Sequence, residues 1–421
     1  MKILEAKVAT SQYVSRKQIL FDEESGLILD VIDPIHQRID YYYSDDCVLF
    51  AGFGDVHIHA RDDVSEKNCY KEDFQSAMAA MRNGGVTHAG DMPNNPIPPV
   101  DDVSYRNKWN HYFSKKTNGC LWFYAGIGPQ TKPLSIKVPY KAYMGPSIGE
   151  LFFKNNKDLD EALIHYVGEN VSFHCEDPEI LDHCKNEAHH HLRRPARAEV
   201  VATRDALKFI EKYQLKGKLC HYSSGEGLEL IREARRKGLE VKIEVTPQHL
   251  YYSIEELNEK DYTKFQMNPP LRYHTDKEIL LKAFKAGEID FLATDHAPHT
   301  DDEKTKGISG LTGLDTYAGF VTWLIGQGVS LEQIALSSAE NPGRFFNQFL
   351  ESFKSLHPSF HQLGKGFGFV EKNYTANFTI LNLKRPLTIT KDFLKTKVKH
   401  SPFEGVTFPG SLESVFIQGK K

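Results

Sequence analysis

Residues 49–61 read Leu-Phe-Ala-Gly-Phe-Gly-Asp-Val-His-Ile-His-Ala-Arg. This is a continuous apolar run that ends in two histidines spaced two apart. A sheet with one wet face alternates apolar and polar residues; a strand covered on both faces, as in parallel sheets, does not. The texture of 49–57 recurs at 86–92, 121–127, 138–144, 171–175, 218–222, 241–245 and 290–294. Polar turns and amphipathic stretches lie between these runs. Residues 72–83 carry Phe74, Ala77, Met78 and Met81 at helical spacing and stop at Gly84-Gly85. Residues 226–237 stop in the same way at Gly238. Thr275, with Glu278 three residues on, reads as a capping box that opens a helix with 279–284 as its buried face. Eight alternations of buried strand and helix predict a (β/α)8 barrel.

Outside the runs the pattern changes. Residues 1–50 are rich in β-branched and aromatic residues broken by polar turns, and after about 360 the helical signal fades, with strands expected at 367–383 and 386–389. The simplest organisation is a small β domain built from 1–50 and 361–421, with the barrel, 51–360, inserted between its halves. The 421 residues carry 52 basic and 56 acidic side chains, a net charge of −4, which gives no electrostatic motive for nucleic acid or an anionic membrane as partner. No apolar run nears the roughly 20 residues of a bilayer span, and 1–18 has no signal-peptide core. Six cysteines without a CxxC pair predict a reducing, cytoplasmic setting.

In such a barrel, reactive side chains stand at the C-terminal ends of the strands. Run one ends in His57 and His59, run four near Lys141, run five at His174, run six at His221 and run eight at Asp295-His296. Residues two apart on a strand share a face, so His57 and His59 can chelate one ion. Alone, that pair could equally be surface histidines. Four histidines, a carboxylate and a lysine at one rim suit zinc or a similar divalent ion, and so many ligands suit two ions sharing a hydroxide. Cys175 and Cys220 flank two of these histidines; strand alternation turns them outward, and they read as buried small apolar residues. His249 reads as a hydrogen-bonded core residue, and the basic stretch His189-His190-His191 with Arg193, Arg194 and Arg197 as a solvated loop.

Asp-Val-His-Ile-His-Ala-Arg-Asp (55–62), Asp-Met-Pro-Asn-Asn-Pro (91–96), Met-Asn-Pro-Pro-Leu-Arg (267–272), Ala-Thr-Asp-His-Ala-Pro-His (293–299) and Glu-Asn-Pro-Gly-Arg (340–344) resemble dihydroorotase, within the cyclic amidohydrolase superfamily. The similarity runs in order through residues 50–350. It implies reversible hydrolysis of the ring amide of dihydroorotate to N-carbamoyl-L-aspartate, in pyrimidine biosynthesis, by a hydroxide bridging two metal ions. It implies His57 and His59 on one ion, His174 and His221 on the other, and Lys141 bridging them as a carboxylated lysine. A lysine carbamate is an anion with two oxygens and can span two cations; an ordinary lysine contacting substrate is the competing reading. Asp295 would ligate a metal and act as general acid and base. Arg61, Asn95 and His299 would hold the substrate carboxylate and Asn268 the ring amide, although Asn95 and Asn268 each precede proline and are also ordinary turn residues. The glycines of 307–316 would let backbone close over a flat ring. A homodimer, and association with aspartate transcarbamoylase, are further implications. Two departures stand out: Asp62-Asp63-Val64 replaces the Glu-Pro-Gly of one branch, and residues 1–50 carry no motif that can be named. A relative acting on allantoin, hydantoins or dihydropyrimidines is the alternative.

Overall fold

The computed structural model describes residues 1–115, 120–146 and 151–421. Phe53–Ile58, Val86–Asp91 and Cys120–Phe123 pair in parallel. Ala125–Gly126, Tyr140–Tyr143, Asn170–His174, Lys216–Leu219, Val241–Val245 and Phe291–Leu292 form a second parallel set. Cys120–Phe123 and Ala125–Gly126 are halves of one strand interrupted at Tyr124, so the eight expected strands are present. The ring closes between the eighth strand and the first. Ile58 bridges His296, the His59 amide donates to the His296 carbonyl at 2.8 Å, and Asp55 accepts from the Thr294 amide at 3.1 Å. The outer layer includes Phe74–Asn83, Asp102–Ser114, Ala196–Lys212, Leu228–Arg236, His274–Lys285 and Tyr317–Gly326.

The second layer is a seven-stranded sheet in the order Ser411–Phe416, Phe378–Asn382, Cys47–Ala51, Lys2–Ala9, Val14–Asp22, Leu27–Ile32, with Tyr41–Tyr42 also on Lys2–Ala9. It joins both ends of the chain, which makes the fold a (β/α)8 barrel with a small β domain.

Four details differ from the sequence reading. The run 49–57 is not one strand: Cys47–Ala51 belongs to the β domain and Phe53–Ile58 to the barrel. The chain changes sheets at Gly52, whose amide donates to the Asn377 carbonyl at 2.7 Å. A side chain there would come within 2.5 Å of Thr87 Oγ1. The strands expected at 367–383 and 386–389 shrink to Phe378–Asn382 and Leu387–Thr388, the latter pairing only with Thr407–Phe408. The capping box at Thr275 does not form. The helix starts earlier, at His274, whose amide donates to Glu255 Oε2 at 2.6 Å. Finally, part of the tail leaves the β domain. Thr396 bonds Glu72 and Lys397 pairs with Asp73. His400 donates to the His299 carbonyl at 2.5 Å and accepts at its own carbonyl from Thr312 at 2.6 Å. This stretch straps the C-terminal face of the barrel. Among the described residues no helix is long and apolar enough to cross a membrane.

Candidate active site

The residues singled out at the strand ends meet in one small cavity of about 40 Å³ at the C-terminal face. It is lined by His57, His59, Arg61, Lys141, His174, His221, Asn268 and Asp295, together with Asn94, Tyr143, Ala297, Ser309 and Gly310. A bulge in the pairing of the first two strands, between Asp55 and Ile58, sets the direction of His57. His57 Nε2 and His59 Nε2 lie 3.2 and 3.1 Å from the same oxygen, Asp295 Oδ1. Their other ring nitrogens are taken: His57 Nδ1 by Glu244, and His59 Nδ1 by Asn94 Oδ1 at 2.8 Å. Two nitrogens and a carboxylate oxygen therefore converge within ligand distance of one centre.

On the other side, His174 Nε2 donates to Glu176 Oε2 at 2.9 Å. Its Nδ1 is then a lone pair, 2.9 Å from His221 Nε2. Glu176 is held in turn by Arg194, whose Nε lies 3.0 Å from Oε1. Burial opposes ionisation of Glu176, but Arg194 and His174 hold its carboxylate well below the usual range. Carboxylates that fix the outer nitrogen of a ligating imidazole are what metal sites use to set tautomer and aim.

Lys141 is fully buried. Its Nζ lies 2.7 Å from Cys220 Sγ, and it makes no ion pair among the described residues. Burial, reinforced by neighbouring cationic side chains, pushes His57, His59 and His221 well below the ordinary histidine value, which keeps them neutral as ligands must be. Burial pushes Asp295 up to about 7, with Lys141 opposing. A dry nest of nitrogen lone pairs around one carboxylate is costly unless cations sit among them. The donor set therefore fits divalent ions.

Cys220 departs from the sequence reading, since its sulfur faces this cluster. Lys216–Leu219 ends one residue before it, and His221 has left-handed backbone with φ 37°, so alternation no longer sorts the two. Cys175 stays a buried, small residue. Left-handed backbone also occurs at Arg61, φ 59°, and Asp295, φ 47°. Three proposed site residues thus hold conformations that bulky side chains resist, a strain typical of functional sites.

On the substrate side, Arg61 is 3% exposed. Its Nη2 lies 3.1 Å from His299 Nε2, and its Nε has no partner among the described residues. Asn268 lines the cavity and offers its Oδ1 to His190 Nε2 at 2.9 Å. Asn95 does not line it; its side chain donates to the Met92 carbonyl at 3.3 Å, and Asn94 takes its place. Two asparagines side by side are indistinguishable by residue type alone. The stretch read as a solvated loop is also corrected: His190 is mostly buried against Asn268, and Arg194 braces Glu176. His249 is a core residue, bonded to Thr246 Oγ1 at 2.9 Å and the Pro269 carbonyl at 3.2 Å. Glu244 and Lys218, an intimate buried pair beneath His57, went unread, although charge inside a run of barrel strands is itself a signal.

The chain is 32% identical over 380 residues to a dihydroorotase of Pyrococcus furiosus, covering 89% of this chain and 81% of that protein. It is 30% identical over 415 residues to a dihydroorotase of Methanosphaera stadtmanae, covering 92% and 89%. Among solved structures it resembles the L-hydantoinase of Arthrobacter aurescens, with a TM-score of 0.83 and 20% identity over 98% of this chain and 93% of that one. A dihydropyrimidinase from Brevibacillus agri gives 0.80 and 20%, over 99% and 94%. At those identities the structures establish the fold. No family model matches the chain.

Proposed function

The chain belongs to the dihydroorotase family, metal-dependent cyclic amide hydrolases, and from that premise we propose that it opens and closes the ring amide of dihydroorotate at this cavity. The observation that carries the substrate is Arg61, a buried guanidinium with an unpartnered Nε facing the same cavity as the ligand set. A ring with no carboxylate would leave that charge unanswered, whereas a carboxylate accepts two parallel N–H bonds from it. His299, on Arg61 Nη2, orients the guanidinium.

His57, His59, His174 and His221 would hold two divalent ions, which we take to be zinc, with Asp295 and a carboxylated Lys141 completing the set. Once bound, the ions would supply Lewis acidity toward a water and the ring carbonyl. Carboxylation turns a buried lysine without a counter-ion into an anion, and that is what supports it here. Asp295 accepts the proton of the attacking water on its carboxylate and returns it to the departing amide nitrogen. Asn268, its Oδ1 occupied by His190, turns its amide N–H toward the ring. Gly310, φ 144°, brings backbone against Ala297 and His299, which sets the 307–316 loop against the cavity.

The test is turnover of dihydroorotate and of N-carbamoyl-L-aspartate by purified protein supplied with zinc, cobalt or manganese. Ring opening and closure are expected. Absence of both, in protein shown to hold metal, overturns the proposal.

A further inference from the structure

Tyr143 faces the cavity and has no part in the reading above. It ends the strand Tyr140–Tyr143, two residues beyond Lys141 and so on the same face. It is 2% exposed, and its hydroxyl is buried with no hydrogen-bond partner among the described residues. Its ring lies 5.2 Å from Lys141 Nζ and 6.1 Å, centre to centre, from that of His174.

A buried hydroxyl left unbonded costs about 1–3 kcal/mol. Phenylalanine would fill the same space without that cost. The hydroxyl is therefore directed at something outside the chain, and the cavity it lines is where the ring binds. A tyrosine hydroxyl is an O–H donor as well as an acceptor, so it can serve as one here.

We propose that Tyr143 is a further catalytic residue, donating a hydrogen bond to the carbonyl oxygen of the scissile ring amide as that oxygen gains negative charge. The placement selects this oxygen. The carboxylate is met by Arg61 and His299, whereas Tyr143 shares its strand with Lys141 and packs near His174, on the ligand side. The inference rests on the ring-opening reading above and adds to it a donor that acts only as charge develops.

Tyr143→Phe in metal-loaded protein tests it. We expect kcat to fall by about 10²-fold, the scale of one lost oxyanion donor, with KM within about threefold. Bound metal should be unchanged and the melting temperature equal or higher, because an unpaired buried hydroxyl has been removed. Unchanged kcat overturns the proposal. So does a loss carried wholly by KM, which marks a ground-state contact, and so does a lower melting temperature with full activity per folded molecule, which marks a structural hydroxyl. The two readings fail separately: wild-type protein that opens hydantoin or dihydrouracil but not dihydroorotate removes the substrate assignment, and Tyr143 is then judged by the same kcat ratio on the ring that is opened.

Discussion

The two ends of the barrel differ in a way that volume alone would misread. The mouth holds a cavity of about 40 Å³. At the foot, where Thr87 and Leu121 begin their strands, lies one of about 700 Å³. The larger is lined by aromatic and aliphatic side chains such as Tyr112, Phe113, Leu121, Phe360 and Phe367, and also by Arg82, Lys420 and Lys421. The smaller gathers ionisable groups from five strand ends, with an asparagine from the loop after each of two more, most of them buried and several braced from behind by a second polar group. Space measures what packing left unfilled; convergence of costly polar groups measures what the chain maintains at the expense of stability.

Substitutions sharpen that contrast. Asp295→Asn should cost the most, about 10²–10⁴-fold in kcat, the range for a lost proton-transfer group; retention of activity within tenfold would move the chemistry elsewhere. Arg61→Ala should lower kcat/KM for dihydroorotate about 10²-fold, as for loss of a charged hydrogen-bonding partner, and barely alter turnover of a ring without a carboxylate. No loss on dihydroorotate would point to the hydantoinase-like alternative, and equal losses on both rings would give Arg61 a structural role instead. Arg194→Met releases Glu176 and with it His174, so metal affinity should weaken by about 10–100-fold, read by titration with a chelator, while kcat at saturating metal changes less. At the foot, Phe360→Ala should lower stability by about 3–5 kcal/mol and leave kcat per folded molecule untouched. A kcat effect there would erase the distinction between the ends.

Much of the mouth was readable from residue order because barrel strands present their last residues to one place. His57, His59, Lys141, His174, His221 and Asp295 needed only the strand count and that rule. What escaped depended on backbone geometry that residue type does not encode. Gly52 looks like any small residue in an apolar run, yet it is where the chain passes from one sheet to another. Alternation misassigned Cys220 because the strand ends before it and His221 turns left-handed. Asn94 and Asn95 offer the same chemistry, and only the turn at Pro93 decides which faces inward. His190 and Arg194 looked like solvated charge because their partners, Asn268 and Glu176, lie far away in sequence or face inward. The family resemblance supplied the substrate; nothing in the periodicity could have done so.

The strap at 396–400 sets an order in time. Every proposed metal ligand, the guanidinium and the glycine loop have been synthesised by residue 316. Thr312 and the His299 carbonyl still wait for His400, and Glu72 for Thr396. The growing polypeptide therefore carries all the proposed reactive groups some eighty residues before the strap that bonds Thr312, Glu72 and the His299 carbonyl has been made.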